Sequence, residues 1–143
     1  MSETNKQIAR REIEELFLRG DWAVLDELIS EDYVGHDPAL PEPVRGKDCL
    51  RELMESYRAG FGQLDVRIED QVAEGDTVVT RWTATGRHDG ELFGVPTTGK
   101  DLEVAGISIE RMKDGQITED WTIWHALGLM RQLGVVPEEA GTP

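Results

Sequence analysis

The chain has 143 residues, with 15 Lys and Arg against 29 Asp and Glu and a net charge of −14. At this size, area scaling leaves roughly 7,400 Å² of folded surface out of roughly 23,000 Å² in the extended chain, enough for one core and one internal pocket but too little for two nucleotide-binding halves. The absence of clustered cations excludes a nucleic-acid surface, which works by counterion release, and disfavours an anionic membrane surface; the acidity itself reads as solubility.

The single cysteine, Cys49, excludes an intramolecular disulfide. Beside Leu50 and Leu53 in an expected helix, it reads as a buried, inert thiol. The N-terminal stretch MSETNKQIARREIEE lacks the apolar run of a leader peptide. No segment approaches the roughly 18 apolar residues of a membrane span, so a cytoplasmic protein is expected.

In chain order, Ser2 or Thr4 is expected to cap a helix carrying Ile8, Ile13, Leu16 and Phe17 and ending near Gly20. Asp21 is expected to cap a second helix with Trp22, Leu25, Leu28 and Ile29 on its apolar face. Residues 32–38 form a short extended piece, and Pro38, Pro41 and Pro43 force a non-helical loop. A third helix runs from about Lys47 to Ala59, with Leu50, Leu53, Met54, Tyr57 and, just past its end, Phe61 at alternating spacings of three and four. From Leu64 the period becomes two, and Leu64, Val66 and Ile68 alternate with charged residues. Strands follow over Thr77 to about Arg87, Leu102 to Met112, and Ile117 to about His125. The first two are preceded by the hairpin signal Glu74-Gly75-Asp76 and the irregular stretch with Gly90, Gly94, Pro96 and Gly99. The last is preceded by the tight turn Lys113-Asp114-Gly115-Gln116. A short helix with Leu127, Leu129, Met130 and Leu133 closes the chain and stops at Gly134. Helices first and long antiparallel strands after define the α+β class. Residues 1–136 are expected as one domain and 137–143 as a flexible tail.

Several stretches together resemble the SnoaL-like polyketide cyclases. The run from Gly86 to Gly99, GRHDGELFGVPTTG, is similar to that family's G-x-H-x-G-x-x-x-G-x-P-x-T-G segment. Asp76 to Trp82, Asp32-Tyr33-Val34 with His36-Asp37-Pro38, the Arg111 to Ile117 turn and Leu129 to Gly134 also match, in order, over about residues 5 to 136. The resemblance implies a cone-shaped fold like that of nuclear transport factor 2. Three N-terminal helices would pack on a curved, mainly antiparallel sheet around a pocket. It also implies cofactor-free ring closure by an intramolecular aldol reaction on an aromatic polyketide methyl ester. Such chemistry needs a base beside a carbonyl, a donor for the enolate oxygen and a pocket that folds the substrate. The sequence has no Gly-rich nucleotide motif, and its three histidines lie far apart, so neither a metal nor a nucleotide cofactor is expected.

The chain departs from the family pattern on its last strand. A stretch resembling H-W-D-x-x-D becomes Asp120-Trp121-Thr122-Ile123-Trp124-His125, so the family's acid/base Asp falls on Thr122 and its second Asp on His125. The family's histidine on the preceding strand falls on Ser108. A threonine hydroxyl is no general base near neutral pH without an activator.

The candidate proton-transfer residues are therefore His88, His125 and Asp120. His36, Tyr33, Trp82, Ser108, Thr122, Trp124, Met54 and Tyr57 are candidate ligand contacts, with Ser108 and Thr122 as hydrogen-bond donors and Trp124 as a stacking wall. Each has a plainer reading as well: core packing for the aromatic and apolar residues, capping or ion pairing for the histidines, a solvated strand end for Asp120. Strand alternation puts Asp120, Thr122 and Trp124 on one face, and Glu119, Trp121, Ile123 and His125 on the other. Three functions remain open: a cyclase, isomerase or lyase acting on a small apolar or aromatic carbonyl compound; a non-catalytic binder of such a ligand; and an epoxide or ester hydrolase using Asp120. A homodimer is the expected assembly, a second copy covering the open sheet face.

Overall fold

The switch from helical to alternating periodicity near residue 61 divides the structure into a helical layer and a sheet. A computed structural model describes residues 2–137, so the tail expected over 137–143 lies, past its first residue, outside the described residues. Helix α1 spans Ser2–Arg11 and continues without a break through a wider, π-type winding over Glu12–Leu18. The guanidinium of Arg58 donates to the carbonyl oxygens of Phe17 (2.8 Å) and Leu18 (2.5 Å), satisfying acceptors that the end of this winding would leave bare.

The second helical segment is shorter than its apolar stripe predicts. A single tight turn, Trp22–Val24, leads into α2, Leu25–Leu28, and the Asp21 side chain makes no capping hydrogen bond. Ile29 is fully buried, but as the first residue of strand β1, Ile29–His36. A β-branched residue suits the pleated, half-buried surface it occupies. The proline loop holds a two-residue strand, β2, Val44–Arg45. Helix α3, Lys47–Gly60, buries Leu50 and Met54. Cys49 lies on its other side and is exposed, which corrects the expectation of a buried thiol.

Strands β3 (Phe61–Glu74), β4 (Thr77–His88), β5 (Asp101–Lys113) and β6 (Gln116–Trp124) form the meander, and α4, Ala126–Leu133, closes it. The sheet order is β2-β1-β6-β5-β4-β3. Among the described residues only β1 and β6 pair in parallel. Asp114 and Gly115 both take positive φ, 53° and 79°, as a two-residue turn matched to the right-handed strand twist requires. Register shifts in β3, between Ile29 and Val34, and between Arg111 and Met112 bend the strands, as bulges do.

Two apolar clusters result. One joins Ile8, Leu16, Leu28, Ile29, Met54 and Ile117 beneath the helices; the other joins Phe61, Leu92, Leu102, Val104, Leu129 and Leu133 at the opposite end. A cavity opens against both. No helix among the described residues is long and apolar enough to cross a membrane.

Candidate functional site

The cavity offers about 190 Å³ to water-sized molecules and is walled largely by apolar side chains from the π-type winding, α3 and the inner face of the sheet. Its polar floor follows from strand register. Across β4, β5 and β6 the inward positions line up as Val78–Glu110–Asp120, Thr80–Ser108–Thr122 and Trp82–Gly106–Trp124. The first row is acidic, the second hydroxylic and the third aromatic. Asp120, Thr122 and Trp124 thus share the cavity face, as alternation requires.

Two of these rows depend on glycine. A Cβ on Gly106 would sit 2.3 Å from the Trp82 ring, so the indole lies flat across this position. Gly35, opposite Asp120 on β1, would place a Cβ 2.5 Å from Tyr33 Oη and 3.1 Å from Asp120 Oδ1. Its bare backbone makes room for the central polar contact: the buried Tyr33 phenol donates to Asp120 Oδ2 at 2.5 Å.

Glu12, the first residue of the π-type winding, reaches the same point from the helical layer. Donor atoms of Glu12, Glu110 and Asp120 lie within 4.8 Å of one another. Neither Lys nor Arg lines the cavity among the described residues. Fully ionised, each pair at this spacing would repel by ~3–4 kcal/mol at the effective dielectric of a protein interior, so the cluster retains protons. Burial, aided by the charge of Asp120, pushes Glu12 up to about 8. Burial and the charges of Glu12 and Asp120 hold Glu110 well above the usual carboxyl range. Burial also raises Asp120, but the Tyr33 hydrogen bond and the nearby His36 restrain it to about 6. Burial and the adjacent Asp120 charge hold the Tyr33 phenol well above its usual range, so it stays a donor. Near neutral pH the floor therefore holds one carboxylate, Asp120, beside two neutral acids. Their all-oxygen donor set is also one that suits a hard cation.

The hydroxyl row has its own order. Trp82 Nε1 donates to Ser108 Oγ at 3.1 Å, and Ser108 Oγ lies 3.3 Å from Thr122 Oγ1. Whichever hydroxyl donates to the other, one O–H of the pair is left over for a ligand. Thr80 is engaged separately by Gln71 Nε2 at 3.2 Å.

Of the candidates read from the sequence, the structure brings Asp120, Tyr33, His36, Trp82, Ser108, Thr122, Trp124, Met54 and Tyr57 to the cavity lining. His36 also pairs with Glu119 (2.7 Å) and stacks on Trp121. Trp124 Nε1 donates to Asp37 Oδ2 at 2.9 Å, and Phe93 packs 5.7 Å from the Trp124 ring at the mouth.

His88 and His125 are not brought there. His88 is fully buried at the base of the loop between β4 and β5. Its Nδ1 accepts from the Thr98 backbone N–H at 3.2 Å, and its own backbone carbonyl accepts from Thr97 and Gly99. A ring held this way clips the loop, and it lies outside the cavity lining. His125 is exposed at the start of α4, with its ring against Gly128.

Glu12 and Glu110 are not among the candidates read from the sequence. The signals were present. Glu12 stands four residues from both Ile8 and Leu16, in the middle of the apolar stripe. Glu110 interrupts the buried face of β5 between Ser108 and Met112.

The model of the SnoaL-like polyketide cyclase family matches residues 7–133. The chain belongs to this family. It is 32% identical over 118 residues to a nogalonic acid methyl ester cyclase of Streptomyces nogalater, a match covering 77% of this chain and 83% of that one. It is 30% identical over 115 residues to the aklanonic acid methyl ester cyclase DauD of Streptomyces sp. (strain C5), covering 78% and 67%. Among solved structures it is similar to TsrD of Streptomyces laurentii, with a TM-score of 0.82 and 29% identity over 94% of this chain and 97% of that one. Wild-type IdmH of Streptomyces antibioticus gives a TM-score of 0.78 and 33% identity over 91% and 98%. The SnoaL-like fold, α+β with a mixed and mostly antiparallel sheet, is thus common to all three chains.

Proposed function

We propose that this SnoaL-like chain is a cofactor-independent cyclase or isomerase, with residues 1–136 acting as one unit, and that Asp120 is its base. The observation that carries this reading is the Tyr33–Asp120 contact at the floor of an apolar cavity. A carboxylate restrained to about 6 is ionised at neutral pH yet more basic than an exposed one, which suits proton removal next to a carbonyl. The substrate class is a polyketide-like aromatic carbonyl compound: Trp82 and Trp124 supply flat walls, and the Ser108–Thr122 pair supplies one donor. Asp120 thereby takes over, from two residues away, the work of the family's Asp at the position of Thr122.

The test is incubation with the esters named for the relatives, nogalonic and aklanonic acid methyl ester. An aldol ring closure conserves mass, so product is expected at unchanged mass and altered chromatographic retention. Asp120→Asn is expected to lose roughly a hundredfold or more of the rate, the range of general acid–base catalysis. A wild-type chain that binds these esters without converting them would favour the second reading, a non-catalytic binder, which the hydroxyls at Ser108 and Thr122 support. Hydrolysis of an epoxide or ester through a water activated by Asp120 would instead change the mass.

A second copy of the chain is proposed to cover the outer face of β5 and β6. There Ile107, Ile109 and Ile123 are 45%, 39% and 61% exposed, and Trp121 lies beneath the Arg111 guanidinium.

A further inference from the structure

The mechanism above uses one of three clustered carboxyl groups. The other two come from separate layers, Glu12 from the helices and Glu110 from β5, and meet in the lining of the cavity. Glu110 is 3% exposed. Oε2 of Glu110 and Oε2 of Glu12 are both buried and have no hydrogen-bond partner. Buried polar atoms without partners are rare, because each costs the desolvation of the group, and here they open on a ligand-sized space. Register places Glu110 directly across from Asp120, where two like charges are unfavourable. The groups facing the pair from the packed elements are Asp120 and Tyr33, with His36 and Asp37 farther along the lining, and neither Lys nor Arg is among them.

We propose that the Glu12–Glu110 pair is a second catalytic element: a neutral carboxylic acid pair that donates a hydrogen bond to the carbonyl oxygen whose neighbouring carbon Asp120 deprotonates. This rests on the reading of Asp120 as base. Two neutral acids with donor atoms within 4.8 Å carry two O–H groups, and the unpartnered Oε2 atoms leave at least one of them for the substrate. In the step, Asp120 takes the α-proton, and the C–H electron pair becomes the C=C bond of the enolate. The carbonyl π pair moves onto the oxygen, where the acid pair holds it by hydrogen bonding. The enolate carbon then forms its bond to a second carbonyl, the first C=O re-forms, and the new alkoxide takes the proton from Asp120. Protons and electrons balance without a co-reactant. The separation of the three groups suits one H–C–C=O unit lying between base and donor.

The experiment uses the full chain and 2-naphthol, a planar enolate mimic, with binding read from cavity tryptophan fluorescence. In the infrared, wild-type protein near neutral pH is expected to show the C=O band of neutral carboxylic acid, and the band should weaken in Glu12→Gln and in Glu110→Gln. A Gln amide still donates, so the Glu12→Gln, Glu110→Gln double variant should bind 2-naphthol within about threefold of wild type. The double Leu variant should bind up to roughly tenfold more weakly, the loss expected for a hydrogen bond to the naphthol oxygen. Unchanged affinity in the folded double Leu variant, or no neutral-acid band, overturns the proposal. So does loss of the band on adding calcium, magnesium or an alkylamine, which would make the cluster a cation receptor. Failure of the cyclase reading looks different: the esters are not turned over, while the band and naphthol binding persist.

Discussion

The phenol of Tyr33 and the carboxylate of Asp120 meet at 2.5 Å across the parallel seam between β1 and β6, at residues 87 positions apart in the chain. This hydrogen bond stabilises the ionised form of Asp120 against its burial. Tyr33→Phe removes that support, so the Asp120 pKa rises above about 6. The acid limb of kcat/KM against pH is expected to move up by roughly one unit, the equivalent of a single modest hydrogen bond. Activity near pH 6 falls most, and activity on the alkaline side is largely kept. A pH–rate profile of the two proteins measures this directly.

Gly35 sets the geometry of the same pair. In Gly35→Ala the added methyl would approach the Tyr33 hydroxyl to 2.5 Å. The phenol must move, so the variant should reproduce the shifted pH profile of Tyr33→Phe. It should also lose about 1–3 kcal/mol of stability from overpacking. Combining the two substitutions should restore part of that stability, since Phe lacks the crowded oxygen. Urea unfolding of the single and double variants resolves the coupling.

Glu12 makes stability depend on pH with a definite sign. Its pKa is raised in the folded state from 4.5 to about 8, so the folded chain binds the extra proton between those values. Stability is therefore greatest below the unfolded value and declines as pH rises through this window. Glu12→Gln should flatten the decline. It should raise the unfolding free energy by ~1–3 kcal/mol at alkaline pH, the cost of a poorly satisfied buried group, with little change in acid. Denaturant titrations at about pH 5 and about pH 8.5 read the difference.

The outer sheet face gives a fourth expectation. Ile123→Lys places a charge on the most exposed of the three isoleucines, without touching the cavity face of β6. If a second copy sits there, sedimentation velocity should show a dimer in the wild type and a monomer in the variant, with 2-naphthol affinity unchanged. Equal sedimentation of the two proteins would rule that face out as the contact.

Most of the architecture was legible because it rests on local signals. The period of two, the Asp114-Gly115 turn and the stripe Leu50–Met54–Tyr57 each name their element without reference to anything distant. Ile29 misled because its side chain suits a helix stripe and a strand equally, and pairing with Ile117 decided between them. The polar floor was less legible. Asp120, Tyr33, Ser108 and Thr122 were visible through alternation and family likeness. Glu12 lay in a run of surface-like carboxylates, and only its stripe position marked it. His88 showed the reverse: a recognisable motif and a titratable ring suggested chemistry, whereas its ring nitrogen anchors the Thr98 backbone. A motif marks a constrained position, and the constraint here is loop geometry.

The succession of inward rows on β4, β5 and β6 gives the cavity a direction. The carboxyl groups of Glu110 and Asp120 are the buried end of this series, hydroxyls follow, and the Trp124 indole packs against Phe93, which is 41% exposed. A guest with an oxygen-bearing ring at one end and a flat hydrocarbon body at the other therefore enters head first, and its reversed orientation would strand unpaired oxygens against tryptophan faces. Selectivity for which carbonyl reacts is in this way a matter of heading, settled before any proton moves.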